Sequence, residues 1–440
     1  MKSFTFRYEL PLEKNEKKMS PPREEEEEEE SAVAHETFFL SRPSSSSSSS
    51  SLSGGGSRNV FVRIDQPHHK DDNNNKRVNL LLIFSHGLHE HSSRFEKTFT
   101  FWAKRDFNFA CVSFDHIGHG RSDGLKCKHQ IESFEQCVED FRAVIAHARE
   151  RFGFDVPVAL AGVSLGGLFA LHAAMTYPKD FFFAIVLIAP AINVKWTAQK
   201  KALALVGEVI ARATPNMKVV PATTLESLTE DAGTAREFEE DPLNYVGKAR
   251  ARFGNEILKA MKGLEKASRE GRLDGISRNV FAVHAEKDAA TCAESTERLF
   301  SRSLKSIPNK QFVKLTHTKG HLLLHEPGCE WTRALIGRFL LEALMMTTRA
   351  TTTEKYENDD ARSLKPNDVL FSSVSKNTTR TKTTFPFTVE EKQEEEEEEG
   401  NPAAITNNDN NNTSSNTNDS NKKYFQAVDG KRILLAKSRL

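Results

Sequence analysis

A serine stands between two glycines in Gly162-Val163-Ser164-Leu165-Gly166, directly after the apolar run Val158 to Ala161 and before Gly167-Leu168-Phe169-Ala170-Leu171. Read as strand, tight turn and helix start, this order lifts the Ser164 hydroxyl to where a substrate can reach it. Side chains at Gly162 and Gly166 would collide with neighbouring backbone in so sharp a turn. The chemistry on offer is nucleophilic: a hydroxyl that attacks a carbonyl once a base removes its proton. Five such residues recur by chance, so the motif needs partners.

Two partners follow in the chain. The apolar run Asn279 to Val283 leads into His284-Ala285-Glu286-Lys287-Asp288, and Gln311 to Leu315 leads into Lys319-Gly320-His321. Ser, Asp and His in that order, each after a strand, is the α/β-hydrolase order. In it His321 is the general base and returns the proton to the leaving alcohol, while Asp288 fixes the imidazole tautomer and stabilises its cation. The oxyanion needs preorganised N–H donors, for which the backbone of Leu165 and of Leu88, in Ser85-His86-Gly87-Leu88, are the candidates. Each assignment has competitors: Ser164 as a plain turn serine, His317 or His325 in place of His321, Glu286 or Glu294 in place of Asp288.

These residues require a frame. Short apolar runs, Asn79 to Phe84, Phe109 to Phe114, Pro157 to Ala161, Phe183 to Ile188, Asn279 to Val283 and Gln311 to Leu315, alternate with helical-length stretches. That predicts an α/β fold with a mainly parallel sheet, buried on both faces by crossover helices. Phe134, Val138, Phe141, Ile145 and Ala148 recur at helical spacing, as do Trp331, Leu335, Phe339 and Leu344; both read as core faces. From about 191 to 275 the rhythm breaks, with no convincing strand. An amphipathic stretch there carries Leu203, Val206, Val209, Ile210 and Ala213 and ends at Pro215, as a helical lid inserted between strands would.

Outside the frame, residues 1–57 hold runs of Glu, Ser and Gly, and residues 347–440 are rich in Thr, then Glu and Asn. Such compositions bury too little apolar surface to offset chain entropy, so both are expected to be disordered, leaving 58–346 as the hydrolase domain. Lys+Arg and Asp+Glu each total 61 in the 440 residues, with no basic excess to draw nucleic acid. The five cysteines are odd in number and contain no C-x-x-C pair, which argues for a reducing compartment. No signal-peptide run and no stretch of about 18 apolar residues is present, so the expectation is a soluble or peripheral intracellular protein. His86, His89, His91, His116 and His119 crowd together, yet no H-E-x-x-H or comparable ligand spacing occurs, and the expectation is no metal and no cofactor.

Over residues 79 to 345 the chain resembles the monoacylglycerol lipase family of α/β-hydrolases, which includes lysophospholipase-like members. Beyond the serine motif the resemblance rests on four blocks: Ser85-His86-Gly87-Leu88-His89-Glu90-His91-Ser92-Ser93-Arg94-Phe95, Asp115-His116-Ile117-Gly118-His119-Gly120-Arg121-Ser122-Asp123-Gly124, Asp241-Pro242-Leu243 in the lid, and Gly320-His321. It implies that His86-Gly87-Leu88 is the oxyanion loop, that the histidines of the second block are structural, and that the substrate is a lipid ester with one long acyl chain. The chain departs from the family pattern at Val163, where His or Glu is usual, and at Leu165, where Met is common. Those departures put pocket polarity and substrate preference in question.

With Lys200, Lys201 and Arg212 beside it, the apolar lid is a candidate for transient contact with a membrane surface; the alternative is that it only covers the core. The terminal Ser438-Arg439-Leu440 is one step from the S-K-L signal read by a peroxisomal import receptor, with the cytoplasm as the alternative location. Three rival functions stay open: a lysophospholipase or general carboxylesterase, an acyltransferase on the same triad, and a catalytically silent binding protein that keeps the fold.

Overall fold

The computed structural model describes residues 5–9, 33–43, 57–68 and 78–360, apart from 105, 125–127, 132, 195, 317 and 319, together with 388–392, 425–426 and 432–433. Most of the expected leader and tail, His317, Lys319 and Ser438-Arg439-Leu440 lie outside the described residues.

In chain order the sheet strands and their helices begin with β1 (Thr5–Glu9), β2 (Val33–Pro43), β3 (Ser57–Pro67), β4 (Leu80–Ser85), α1 (Glu96–Ala103), β5 (Phe109–Phe114), α2 (Phe134–Phe152), β6 (Val158–Val163), α3 (Leu165–Ala174) and β7 (Phe182–Ile188). The lid follows, as α4 (Ala198–Ala213), β8 (Lys218–Thr223), α5 (Leu225–Leu228), α6 (Ala232–Glu240), β9 (Gly247–Arg250) and α7 (Ala251–Arg269). The chain then returns to the sheet with β10 (Ser277–Ala285), α8 (Ala293–Arg298), β11 (Asn309–Leu315), α9 (Cys329–Asp360) and β12 (Thr388–Lys392).

One sheet runs in the order β12-β1-β11-β10-β7-β6-β4-β5-β3-β2. Every pairing from β1 through β5 is parallel, and the antiparallel pairings are β12 with β1, β5 with β3, and β3 with β2. The six runs predicted as strands are β4, β5, β6, β7, β10 and β11, which form the parallel centre.

Alternation along these strands sends side chains to opposite faces. On one face Leu81, Ile83, Val112, Leu160 and Ile185 pack with Phe141 and Ile145 of α2 and Leu168 of α3. On the other, Leu82, Phe84, Cys111, Ala161 and Val186 pack with Phe99 and Trp102 of α1 and Ile336 and Leu340 of α9. Helices cover both faces, so β4, β5 and β6 are buried at every position, and each buried Phe or Leu contributes about 1.5–3 kcal/mol.

Three expectations need correction. Val33–Pro43, assigned to the disordered leader, is an edge strand paired along its length with β3, from Val33 opposite Pro67 to Pro43 opposite Ser57. Its pairing partner lies across a low-complexity stretch, so no local signal announces it. The lid was expected to lack strands, yet β8 and β9 form a two-stranded antiparallel ribbon. The proline in Lys-Val-Val-Pro-Ala-Thr and the brevity of Gly-Lys-Ala-Arg hide it. Last, α9 continues past 346, the expected end of the domain, to Asp360.

Candidate active site

Ser164 sits at the tip of the turn between β6 and α3 with φ 52° and ψ −115°. A non-glycine residue held there stores on the order of 1–3 kcal/mol of strain, and the surroundings must over-determine it. They do: the Ser164 N–H donates to Ile188 O at 2.9 Å, and Ser164 O accepts from Ala191 N at 2.9 Å and Gly167 N at 3.1 Å. A Cβ at Gly166 would lie 2.1 Å from Ser85 O, and one at Gly162 would lie 2.4 Å from Gly166 C and O. Both glycines are therefore required by close backbone approach, as the sequence predicts.

Asp288 and His321 meet at the same end of the sheet, beyond β10 and β11. His321 Nδ1 donates to Asp288 Oδ2 at 2.7 Å. The other oxygen, Oδ1, accepts from the backbone N–H of Ala290 at 2.7 Å and of Thr291 at 2.9 Å, and the Thr291 hydroxyl donates to Oδ2 at 3.0 Å. Burial opposes the Asp288 anion, but attraction from His321 and the hydrogen bonds from His284 and His321 win, holding the carboxyl well below its usual range. For His321, burial opposes the cation while the charge and hydrogen bond of Asp288 outweigh it, so its pKa is raised.

Two of the competing residues are engaged elsewhere. His325 bonds Arg94 O through Nε2 at 3.1 Å, and Glu294 accepts from Cys292 Sγ at 3.2 Å.

Ser164 and His321 line one cavity of about 180 Å³, with Gly87, Leu88, Leu165 and Thr291 at the same end. The N–H of Leu165 opens α3, where a helix leaves its first amides without internal partners. Leu88 is half-buried and follows Gly87, whose N–H donates to Glu90 Oε1 at 2.7 Å. Glu90 is in turn paired with Arg94, so an ion pair pins the loop that carries Leu88.

Away from that end the cavity wall is apolar and drawn largely from the lid: Leu203, Ala204 and Ile210 of α4, Val219, Val220 and Ala222 of β8, and Ile257, Leu258 and Met261 of α7. Leu165 is part of the wall. Val163 is not; its buried side chain packs on the sheet face with Phe84 and Ile188, so of the two departures from the family pattern only Leu165 lines the pocket.

The first two blocks named in the sequence are bound to each other. Asp115 Oδ1 accepts from Ser92 N at 2.7 Å and Ser92 Oγ at 2.6 Å, and Oδ2 accepts from Arg121 N at 2.8 Å. The lid block joins them: His91 Nε2 bonds Asp241 Oδ2 at 2.8 Å, and Tyr245 N donates to His89 O at 3.0 Å. Lid and His321 loop also share a junction, because Leu228 O at the end of α5 accepts from His321 N at 2.6 Å and Leu322 N at 3.2 Å.

Beneath the loop that carries Leu88, His86, His89, His116, His119 and His129 contact one another ring to ring, His86 and His116 with centroids 4.6 Å apart. Burial pushes all five toward the neutral form, His86 to about 3 and His129 to about 4. The His86 ring accepts from His116 N at 3.0 Å and donates to Gly87 O at 2.8 Å. These rings are packing and hydrogen-bonding groups, and among the described residues no cluster of three or more His, Cys, Asp or Glu is arranged to hold a metal ion.

Residues 76–328 match the family model described as serine aminopeptidase, S33. The chain belongs to that hydrolase family. This S33-family chain is 31% identical over 188 residues to a monoglyceride lipase homolog of Monkeypox virus, covering 42% of the chain and 64% of the viral protein. It is 26% identical to a phospholipase of Bacillus subtilis, over 41% of the chain and 67% of that protein. Among solved structures it resembles the monoacylglycerol lipase of Paleococcus ferrophilus, with a TM-score of 0.51 at 25% identity, covering 60% of this chain and 94% of that one. The chain thus spans slightly less than two thirds of the viral relative's length.

Three supporting residues carry no sequence signal of their own. His284 and Thr291 flank Asp288, and Glu90 caps Gly87. All lie within the quoted blocks or just beyond, but only contact in space distinguishes them from solvated neighbours.

Proposed function

We propose that this S33-family hydrolase cleaves lipid esters bearing one long acyl chain, with monoacylglycerol as the principal substrate, through an acyl-enzyme on Ser164. The observation that carries the reading is the apolar cavity that ends on Ser164, Leu88, Leu165 and His321, with Asp288 buried behind the imidazole. A single acyl chain fits a wall of this kind, while the polar end leaves room for a small alcohol.

In this mechanism His321 Nε2 takes the Ser164 proton as Oγ attacks the ester carbonyl. The backbone N–H groups of Leu88 and Leu165 receive the oxyanion. Collapse breaks the bond to glycerol oxygen, which leaves with the proton from His321. Water, deprotonated by the same imidazole, then attacks the acyl carbonyl and frees the fatty acid and Ser164.

The similarity to a phospholipase favours lysophospholipid as a second substrate, for which the steps are identical. We also infer that the lid touches a lipid surface, since Leu205, Val206 and Val209 of α4 point outward and are exposed.

The test is fatty-acid release by wild type and Ser164→Ala from monoacylglycerol, lysophospholipid, diacylglycerol and a short-chain ester. Release from monoacylglycerol that the substitution abolishes is the expected result. Turnover of short-chain ester alone would replace the reading with a general esterase, and no turnover, with no labelling of Ser164 by a fluorophosphonate, would favour a silent binding protein.

A further inference from the structure

Asp288 touches two histidines, and the mechanism above uses only one. His284, near the end of β10, is fully buried at 0% exposure. Its Nε2 lies 3.2 Å from Asp288 Oδ2 and 3.0 Å from Thr291 Oγ1, and its Nδ1 lies 3.0 Å from Thr296 Oγ1. If Nε2 carried no hydrogen, its lone pair would face a carboxylate oxygen. The partners therefore fix the tautomer: Nε2–H donates toward Asp288 and Thr291, and Nδ1 accepts from the Thr296 hydroxyl.

We propose that His284 is a positioning residue of the reaction: it donates to the same carboxylate oxygen that His321 uses, and so sets how strongly Asp288 holds a proton on His321. This rests on the reading of Ser164, His321 and Asp288 given above. Oδ2 is thereby shared among the His321 ring at 2.7 Å, the Thr291 hydroxyl at 3.0 Å and the His284 ring at 3.2 Å. Each added donor spreads the carboxylate charge and makes Asp288 a weaker acceptor for His321.

The ionisable groups that face the pair are few. Asp288, His321 and, from α8, Glu294 act on His284, while Glu90 acts on His321 from the loop after β4. Burial lowers the His284 pKa against the pull of Asp288, so the ring remains a neutral donor while His321 titrates.

The experiment measures kcat, KM and the pH dependence of kcat/KM on a monoacylglycerol for full-length wild type, His284→Leu, His284→Gln and His284→Asn, with Ser164→Ala alongside. Removing the donor raises the basicity of Asp288, so His284→Leu moves the acid limb upward by about 0.5–1 pH unit. It also lowers kcat on the order of tenfold with KM unchanged. Gln places an amide N–H near the position of Nε2 and restores the wild-type limb; Asn, whose amide reaches only as far as Nδ1, does not.

If His284→Leu fails to fold, the Gln and Asn pair decides. A Gln limb at the wild-type position with a shifted Asn limb supports the proposal, and coincident limbs overturn it. A folded Leu variant with an unmoved limb also overturns it, as would Gln behaving like Leu. Activity surviving in Ser164→Ala would instead refute the triad reading and the proposal with it, so the two failures are told apart.

Discussion

At the scale of single residues, the proposed reaction depends on an imidazole that must be neutral to accept the Ser164 proton. Its folded pKa is raised above the ordinary 6.5, because the Asp288 charge and hydrogen bond outweigh burial. As pH falls through that raised value His321 is protonated and the base is lost, so kcat/KM is expected to show an acid limb above pH 6.5. Asp288→Asn removes the largest opposition to burial and leaves only the charge of Glu90 against it, which moves the limb downward and lowers kcat by about 10³–10⁴. A pH–rate series on both proteins checks the two signs; a limb that moves upward in Asp288→Asn would contradict this electrostatic account.

The pairing of Asp288 with His321, and the placing of Ser164 on the same cavity as His321, were legible beforehand because strand–turn–helix context and chain order constrain these positions strongly. Glu90, Thr291 and His284 were not, because a residue that acts by reaching back to a loop amide or carboxylate leaves neither periodicity nor spacing to read. The effect of Val163 stayed open in the sequence for a related reason: position next to Ser164 says nothing about which side of β6 a side chain faces, and Val163 faces the core.

At the scale of elements, the parallel centre was legible because strands covered on both faces must be continuous apolar runs. Element ends, the edge strand β2 and the β8–β9 ribbon were not, since each relies on a partner distant in sequence or carries a proline. The lid helix α4 was foreseen as amphipathic, but its apolar residues divide between two sides. Leu203, Ala204 and Ile210 face the cavity, whereas Leu205, Val206 and Val209 are 87%, 48% and 69% exposed.

An outward apolar face on an element that also walls the substrate cavity would let one helix bind a lipid surface and receive a lipid from it. Each Leu or Val transferred to the interface is worth about 1.5–3 kcal/mol. Leu205→Asp combined with Val209→Asp is therefore expected to reduce co-sedimentation with anionic phospholipid vesicles by at least about tenfold. Hydrolysis of a water-soluble short-chain ester should be unchanged, because neither residue lines the cavity. Undiminished sedimentation of the double variant would mean that this face only shields the core.

At the scale of the whole molecule, acid stability follows from the five clustered histidines. An unfolded histidine titrates near 6.5, whereas burial lowers all five in the folded chain, His86 to about 3 and His129 to about 4. Between pH 6.5 and about 4 the unfolded chain therefore holds protons that the native chain refuses, and stability must fall as pH falls through that window. Asp140, raised by burial to about 6, Glu326, also raised by burial, and His321 act in the opposite sense, since the native state protonates them first. Three opposing groups do not cancel five, the more so because burial also lowers His172, His284 and His325. The melting temperature is expected to drop by about 10 °C or more from pH 7 to pH 4.5, and to be nearly level from pH 7 to 8.5. The decline should begin near pH 6.5, well above the range in which ordinary carboxylates titrate. A flat melting temperature down to pH 4.5 would show that these rings accept protons in the folded state, and the cluster beneath the Leu88 loop would then be a charged site rather than a neutral packing core.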